Sequence, residues 1–334
     1  MKAVLIGSAR DIAAVYPPQI VTQLAGLVEL YEQPVEKKDL DACRGVLSQA
    51  EAAFSTWGML PLSEAEIAQY LPRLRRVFYA AGSVQYFARP FLRSGVGVSS
   101  AWAANAIPVI EYTVSLILLG LKGFFPAMSL VKGGRWNDGH ALSDRHANIY
   151  GARVGVLGAG MIGSGVLREL ARHDVERWVY DPYLSPERAR ELGARKVDSL
   201  DELFASCHVV SNHIANLPAT RGMLTYEHFS RLMPNSCFIN SGRNSQIEES
   251  GFIRAFREDP SRTAILDVID PNEPPTLQHP YYTLPNVYMT PHIAGTLGNE
   301  KARMSQYMVD EFKRFLAGAP LKWDVTEKML ETMA

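Results

Sequence analysis

The hexapeptide GAGMIG at 158–163 stands directly after the apolar run VGVL and directly before SGVLRELARHD, whose apolar residues recur at helical spacing. A lone G-x-G-x-x-G triplet is weak, but flanked by a strand and a helix it prescribes a tight βα turn. Gly158 makes the turn, Gly160 keeps the backbone open to a pyrophosphate, and Gly163 lets the helix close onto the strand, with its N-terminus facing the phosphates. Met161 and Ile162 fill the variable positions of the same cradle. Eighteen residues beyond Gly163, at the end of the next apolar run, stands Asp181. An acid there accepts hydrogen bonds from the adenosine ribose and repels a 2′-phosphate, and no arginine directly follows it. The expected cofactor is NAD.

The turn sits inside a longer rhythm. Apolar runs at 3–7, 27–31, 52–57, 76–82 and 96–100 read as strands, with helical spacing at 63–74. A second series follows at 152–158, 177–181, 208–214, 236–240, 263–268 and 286–290. The 334 residues are enough for about two domains, so the expected fold class is α/β, with two doubly wound parallel-sheet domains. A helix is expected over 107–125, followed by KGGRWNDGH as a connector, and a last helix over 298–318 stops at Gly318.

Composition removes several function classes. Lysine plus arginine number 34 against 35 aspartates and glutamates, a net charge of −1 that argues against a nucleic-acid partner. Three widely spaced cysteines, Cys43, Cys207 and Cys237, show no metal-ligand spacing and suit a reducing cytoplasm. The five apolar residues before Gly7 are too few for a secretory leader, and the apolar stretch 112–121 is too short to span a bilayer, so no membrane partner is expected.

Three ionisable residues fall where late strands end, the edge at which open α/β sheets bind ligands: Arg243 in INSGRN, Glu273 in DVIDPNEPP and His292 in TPHIAG. A guanidinium fork can hold a carboxylate and polarise a carbonyl together. A histidine backed by a carboxylate can give a proton to the oxygen of a carbonyl being reduced.

With the dinucleotide turn, these motifs closely resemble the NAD-dependent D-isomer-specific 2-hydroxyacid dehydrogenase family. The resemblance also takes in Asn105, Ala106 and Glu111, GGRW at 133–136, HIANLPATRGML at 213–224, Asp267 and Val268, LPNVYMTPHIAG, and GAPLKWDV near the end. It implies a Rossmann cofactor domain over 105–295. It implies a flavodoxin-like substrate domain built from 1–104 plus 296–334. Arg243 would bind and orient a 2-hydroxy or 2-oxo acid, His292 would be the acid/base, and Glu273 would hold and charge it. His213, Thr220, Ser241 and Asp267 would join the cofactor site, with Thr220 near the phosphates and Asp267 at the nicotinamide carboxamide. Ala81, Gly82 and Ser83 would offer backbone donors to the substrate, and the chain would form a homodimer through the cofactor domain.

Four departures from the family pattern bear on chemistry. Asn244 stands where glycine usually follows the arginine, and asparagine is the next-best residue for a left-handed turn. One extra residue before Glu273–Pro274 leaves Glu273 or Asp270 to pair with His292, and the Glu-Pro match favours Glu273. Val84 and Tyr86 replace a glycine and an aspartate after the carboxylate cradle, and a valine would restrict close backbone approach. Trp57 replaces the arginine of phosphoglycerate-type members; it is either a core residue or an apolar pocket wall for an uncharged substrate. Two other functions fit the same fold. An NAD(H)-sensing corepressor-like protein would need no proton donor, and formate oxidation typically has glutamine at the position of Glu273.

Overall fold

In the first strand, β1 (Lys2–Ile6), Ala3 and Leu5 face one apolar layer while Val4 and Ile6 face another, the period-two alternation of a sheet covered on both faces. β1 pairs in parallel with β2 (Glu29–Val35) and β3 (Ala52–Ser55), β3 with β4 (Arg76–Tyr79), and β4 with β5 (Gly97–Ser100). On one face Phe54 stacks on Phe78 at 5.2 Å, and Phe312 meets both rings edge-on. Phe312 comes from the helix Lys301–Leu316, whose Met304, Met308 and Phe312 recur every four residues and are fully buried. Gly318 ends that helix at φ 63°, the left-handed conformation the sequence assigned to it.

The structure is a computed structural model and describes residues 1–331. Contacts divide the chain into Met1–Ala106 with the stretch from Thr296 onward, and Ile107–Gly295. The boundary falls inside the helix Trp102–Leu121, five residues earlier in its start than the sequence suggested. That helix is 20 residues long and apolar enough, by length and composition alone, to cross a membrane, which corrects the length argument made from 112–121. Its Val114, Leu116, Ile117 and Leu121 are consumed by the core of the second unit, and this accounts for its apolarity.

The second unit holds seven strands, all parallel: β6 (Ala152–Leu157), β7 (Val175–Tyr180), β8 (Arg195–Val197), β9 (Val209–Asn212), β10 (Cys237–Asn240), β11 (Thr263–Leu266) and β12 (Val287–Met289). Their order is β12-β11-β10-β9-β6-β7-β8, a doubly wound sheet whose order reverses between β6 and β9. Ligands bind such sheets at the carboxyl ends of the strands beside that reversal. The stretch expected to be a connector is instead the end of one helix, Phe124–Lys132, and the start of another, Trp136–Arg145. Gly139 misled the sequence reading: it is a packing glycine, where a Cβ would stand 2.9 Å from Val131 Cγ2 and 3.1 Å from the Ala127 carbonyl oxygen.

The chain then returns to the first unit, where β13 (Asp324–Val325) joins β5 antiparallel and completes the order β13-β5-β4-β3-β1-β2. The fully buried Glu311 carboxylate sets its approach by accepting the N–H groups of Lys322 and Trp323 at 2.9 and 3.0 Å.

Candidate active site

The glycine turn at the end of β6 has three distinct reasons for its three glycines. Gly158 has φ 83°, and a Cβ there would lie 2.9 Å from the His213 carbonyl oxygen. A Cβ on Gly163 would run into the Gly158 carbonyl oxygen, so this glycine is what lets helix Met161–Glu169 sit against its strand. At Gly160, the helix N-cap, nothing lies within 4 Å of the Cβ position. The space above Gly160 is open where unpaired first-turn N–H groups converge, a cradle that fits a pyrophosphate. Met161 is exposed and Ile162 half-buried beside it.

Asp181, just past β7, is tied to this cradle. Its Oδ2 accepts the Ala159 N–H at 2.8 Å and its Oδ1 the Tyr183 N–H at 2.8 Å. Opposite, after β9, burial pushes the His213 imidazole down to about 4, so it is neutral at physiological pH and pairs with Ser211 Oγ at 2.9 Å. The Thr220 hydroxyl closes the same loop on itself, 2.7 Å from the Ala215 carbonyl and accepting the Leu217 N–H at 3.0 Å.

The ends of β9 and β10 are joined by an amide ladder that sequence reasoning missed. Asn212 and Asn240 stand in register, and Asn212 Nδ2 donates to Asn240 Oδ1 at 3.1 Å. Asn240 in turn receives the Gly242 N–H and donates to the Arg243 carbonyl at 3.2 Å, fixing the backbone that carries the arginine. Two in-register asparagines closing adjacent strands were the available signal. The half-buried Arg243 guanidinium donates only to the Gly242 carbonyl among the described residues, which leaves most of its fork for a ligand. Ser241 is buried and pairs with Thr113 Oγ1 at 3.0 Å.

Asn244 is not left-handed, contrary to the turn argument. It begins a 3-10 turn, and among the described residues the positive-φ non-glycine positions are Asn148, Asn235 and His292. Asp270 Oδ2 caps that turn by accepting the N–H groups of Asn244 and Ser245 at 2.7 and 3.1 Å. Glu273, not Asp270, meets the histidine: Glu273 Oε2 lies 2.7 Å from His292 Nδ1, and Oε1 accepts the Ile269 N–H at 2.7 Å. Burial alone would raise the Glu273 pKa, but the bonds from His292 and Ile269 and the charge of Arg243 hold it below the ordinary value. His292 has φ 55°, a left-handed conformation uncommon outside glycine that histidine adopts more readily than most residues.

Asp267, after β11, is 2 % exposed and already well occupied. Its carboxylate accepts Thr290 Oγ1–H at 2.6 Å and the Ile293 and Ala294 N–H groups at 2.9 and 2.8 Å. The sequence reading gave it only to the cofactor; here it also shapes the His292 turn.

In the first unit, Trp57 follows β3 and is 37 % exposed, so it is not the core residue its apolarity allowed. Val84 takes the core position instead: its side chain is fully buried with Phe87 and Phe91, and its φ is not positive. Among the described residues the N–H groups of Ala81, Gly82 and Ser83 donate no hydrogen bond, while the Ala81 and Gly82 carbonyls accept Ser100 Oγ at 2.8 and 2.7 Å. Tyr86 is half exposed, its hydroxyl 3.5 Å from that of Tyr79.

A strand-turn-helix cradle with an acid at the neighbouring strand end, and an Arg, Glu and His at later strand ends, define a dinucleotide-binding Rossmann protein. The model of the D-isomer specific 2-hydroxyacid dehydrogenase NAD binding domain matches residues 114–294, more than half of the chain. The chain therefore belongs to the D-isomer specific 2-hydroxyacid dehydrogenase family, and NAD is the cofactor of this unit. It is 28% identical over 308 residues to a D-3-phosphoglycerate dehydrogenase of Mycobacterium tuberculosis, covering 92% of this chain and 56% of that one. It is 29% identical over 231 residues to a formate dehydrogenase of Chaetomium thermophilum, covering 67% and 62%. The chain spans about half the length of the curated relatives it matches. Among solved structures it shares the fold of the D-mandelate dehydrogenase of Rhodotorula graminis, with TM-score 0.81, 20% identity and coverage of 98% and 97%. A phosphoglycerate oxidoreductase from Rhizobium etli gives TM-score 0.80 at 20% identity, covering 98% of each chain.

Proposed function

We propose that the chain interconverts a D-2-hydroxy acid and its 2-oxo acid with NAD. The observation that carries this reading is the Glu273–His292 pair at 2.7 Å, with Arg243 close enough for its charge to depress the Glu273 pKa. In this reading Gly158, Gly160, Met161, Ile162, Gly163, Asp181, His213, Thr220, Ser241 and Asp267 hold the dinucleotide. When bound, NAD exchanges a hydride with the substrate's carbinol carbon. Arg243 holds the substrate carboxylate and stabilises charge on the reacting oxygen. His292 gives that oxygen a proton in reduction and takes it back in oxidation, while anionic Glu273 favours the imidazolium and fixes its ring. A glutamine there could not, which disfavours formate oxidation.

Residues 1–104 with 296–334 form the substrate domain in this reading, and 105–295 the cofactor domain. The unpaired N–H groups of Ala81, Gly82 and Ser83 are suited to a carboxylate. Segments 54–62 and 80–87 contain no lysine or arginine, while Trp57 and Tyr86 are exposed within them. This favours an acid whose side chain is uncharged. Phe124, Met128, Val131 and Trp136 are exposed along two helices of the second unit, an apolar surface suited to a homodimer. The free thiols Cys43, Cys207 and Cys237 fit a reducing cytoplasm.

The test is the variant His292→Ala, assayed for NADH oxidation with 2-oxo acids and for NADH binding by fluorescence. Turnover should fall by at least about 100-fold with binding nearly intact. Undiminished turnover would overturn the proton-donor role.

A further inference from the structure

Asp267, Thr290 and Tyr112 form a directed hydrogen-bond chain. The Asp267 carboxylate only accepts, so Thr290 spends its one hydroxyl proton on the 2.6 Å bond to Asp267 Oδ1. The 2.8 Å contact between Thr290 Oγ1 and Tyr112 Oη is therefore donated by Tyr112. Downstream, Asp267 holds the N–H groups of Ile293 and Ala294, and its carbonyl accepts the His292 N–H at 3.0 Å. Those bonds bracket the residue that takes the left-handed φ of 55° and so hold the turn on both sides of it. The next residue of the same helix does a parallel job: Thr113, fully buried, bonds Ser241 Oγ at 3.0 Å, two residues before Arg243. Consecutive helical residues point about 100° apart. One helical turn thus reaches two strand ends.

We propose that Tyr112 and Thr113 are positioning residues that register the His292 turn and the Arg243 strand end against each other, Tyr112 through Thr290 and Asp267, Thr113 through Ser241. The proposal rests on the reading of His292 and Arg243 given above. It assigns separate kinetic signatures to neighbouring residues, because one chain serves proton transfer and the other substrate binding.

The test uses Tyr112→Phe, Thr290→Val, Thr290→Ser and Thr113→Val in the full chain, with kcat and KM for a 2-oxo acid, NADH affinity, and NMR chemical shifts of the His292 ring. Tyr112→Phe and Thr290→Val should each lower kcat about 10-fold with KM little changed. The double variant should lose no more than either alone, since both break one chain. Thr290→Ser should restore most of the rate, and Thr113→Val should raise KM several-fold with a smaller effect on kcat. His292 signals should move in Tyr112→Phe and Thr290→Val and stay in place in Thr113→Val. The proposal is overturned if Tyr112→Phe leaves both kcat and the His292 signals at wild-type values. It is equally overturned if all variants lose kcat and KM together in step with thermal stability. If the wild-type chain turns over no 2-oxo acid, the enzymatic reading fails, while the His292 shifts still decide whether the chain positions that residue.

Discussion

The carboxylate of Glu273 is held at both oxygens, by His292 Nδ1 at 2.7 Å and by the Ile269 N–H at 2.7 Å. One contact fixes the imidazole ring; the other keeps the carboxylate from following it. The pair is half exposed, so its worth lies in orientation and protonation, with a stability contribution of no more than about 1 kcal/mol.

Glu273→Gln should therefore lower kcat by about 10- to 100-fold while leaving NADH affinity nearly unchanged. The Glu273 carboxyl titrates below its ordinary value of 4.5 in the folded chain. Between those two values the unfolded chain binds more protons, so the stabilisation is complete above the ordinary value and is lost as pH falls through the folded one. Thermal melts across acidic pH should show the wild-type advantage over Glu273→Gln narrowing on acidification. An advantage that grew would contradict the pairing.

Arg243 has a half-buried guanidinium with little protein to hold it. Arg243→Ala should reduce kcat/KM by on the order of 100-fold or more, and Arg243→Lys should recover only part of this because a point charge cannot reproduce the fork. Full recovery with lysine would argue against two-point recognition.

The glycine cradle separates folding from binding. Gly163→Ala forces a Cβ into the Gly158 carbonyl and should cost several kcal/mol or prevent folding. Gly160→Ala adds a Cβ to open space and should melt close to wild type, yet bind NADH at least about 10-fold more weakly. Paired melts and fluorescence titrations distinguish the two. Equal NADH affinity in Gly160→Ala would displace the pyrophosphate from this turn.

Asp181→Asn keeps an acceptor for the Ala159 N–H but removes the charge. NADPH affinity should rise toward that of NADH, which itself weakens about several-fold. An unchanged NADH preference would mean that Asp181 serves only the turn.

Much of this architecture was legible because strand alternation and the glycine turn are local signals. VGVL followed by GAGMIG could form little else, and the runs TAILDV and SCFIN contain the fully buried β11 and β10. What the sequence hid is set by tertiary partners. Gly139 reads as punctuation until Ala127 and Val131 are seen against it. β8 and β13 have three and two residues, too few for periodicity. Asn244 suggested a left-handed turn, whereas Asp270 caps a 3-10 turn from 26 positions away. The Glu273 or Asp270 choice was open in sequence because one extra residue shifts the spacing; in the fold their carboxylates serve different loops. Thr290 opens the TPHIAG motif and Tyr112 stands in an apolar helical run, yet neither position betrays their pairing, since it exists only where a helix meets a strand end.

The central claim is tested most directly by NADH oxidation across a panel of glyoxylate, pyruvate, hydroxypyruvate, phosphohydroxypyruvate, and branched and aromatic 2-oxo acids, with NADPH as control. The expected result is NADH-dependent turnover of uncharged acids, with little activity on the phosphorylated one and little with NADPH. Preference for phosphohydroxypyruvate would contradict the role given to Trp57. Tight NADH binding with no turnover of any acid would contradict the enzymatic reading and leave an NAD(H)-responsive binding protein in its place.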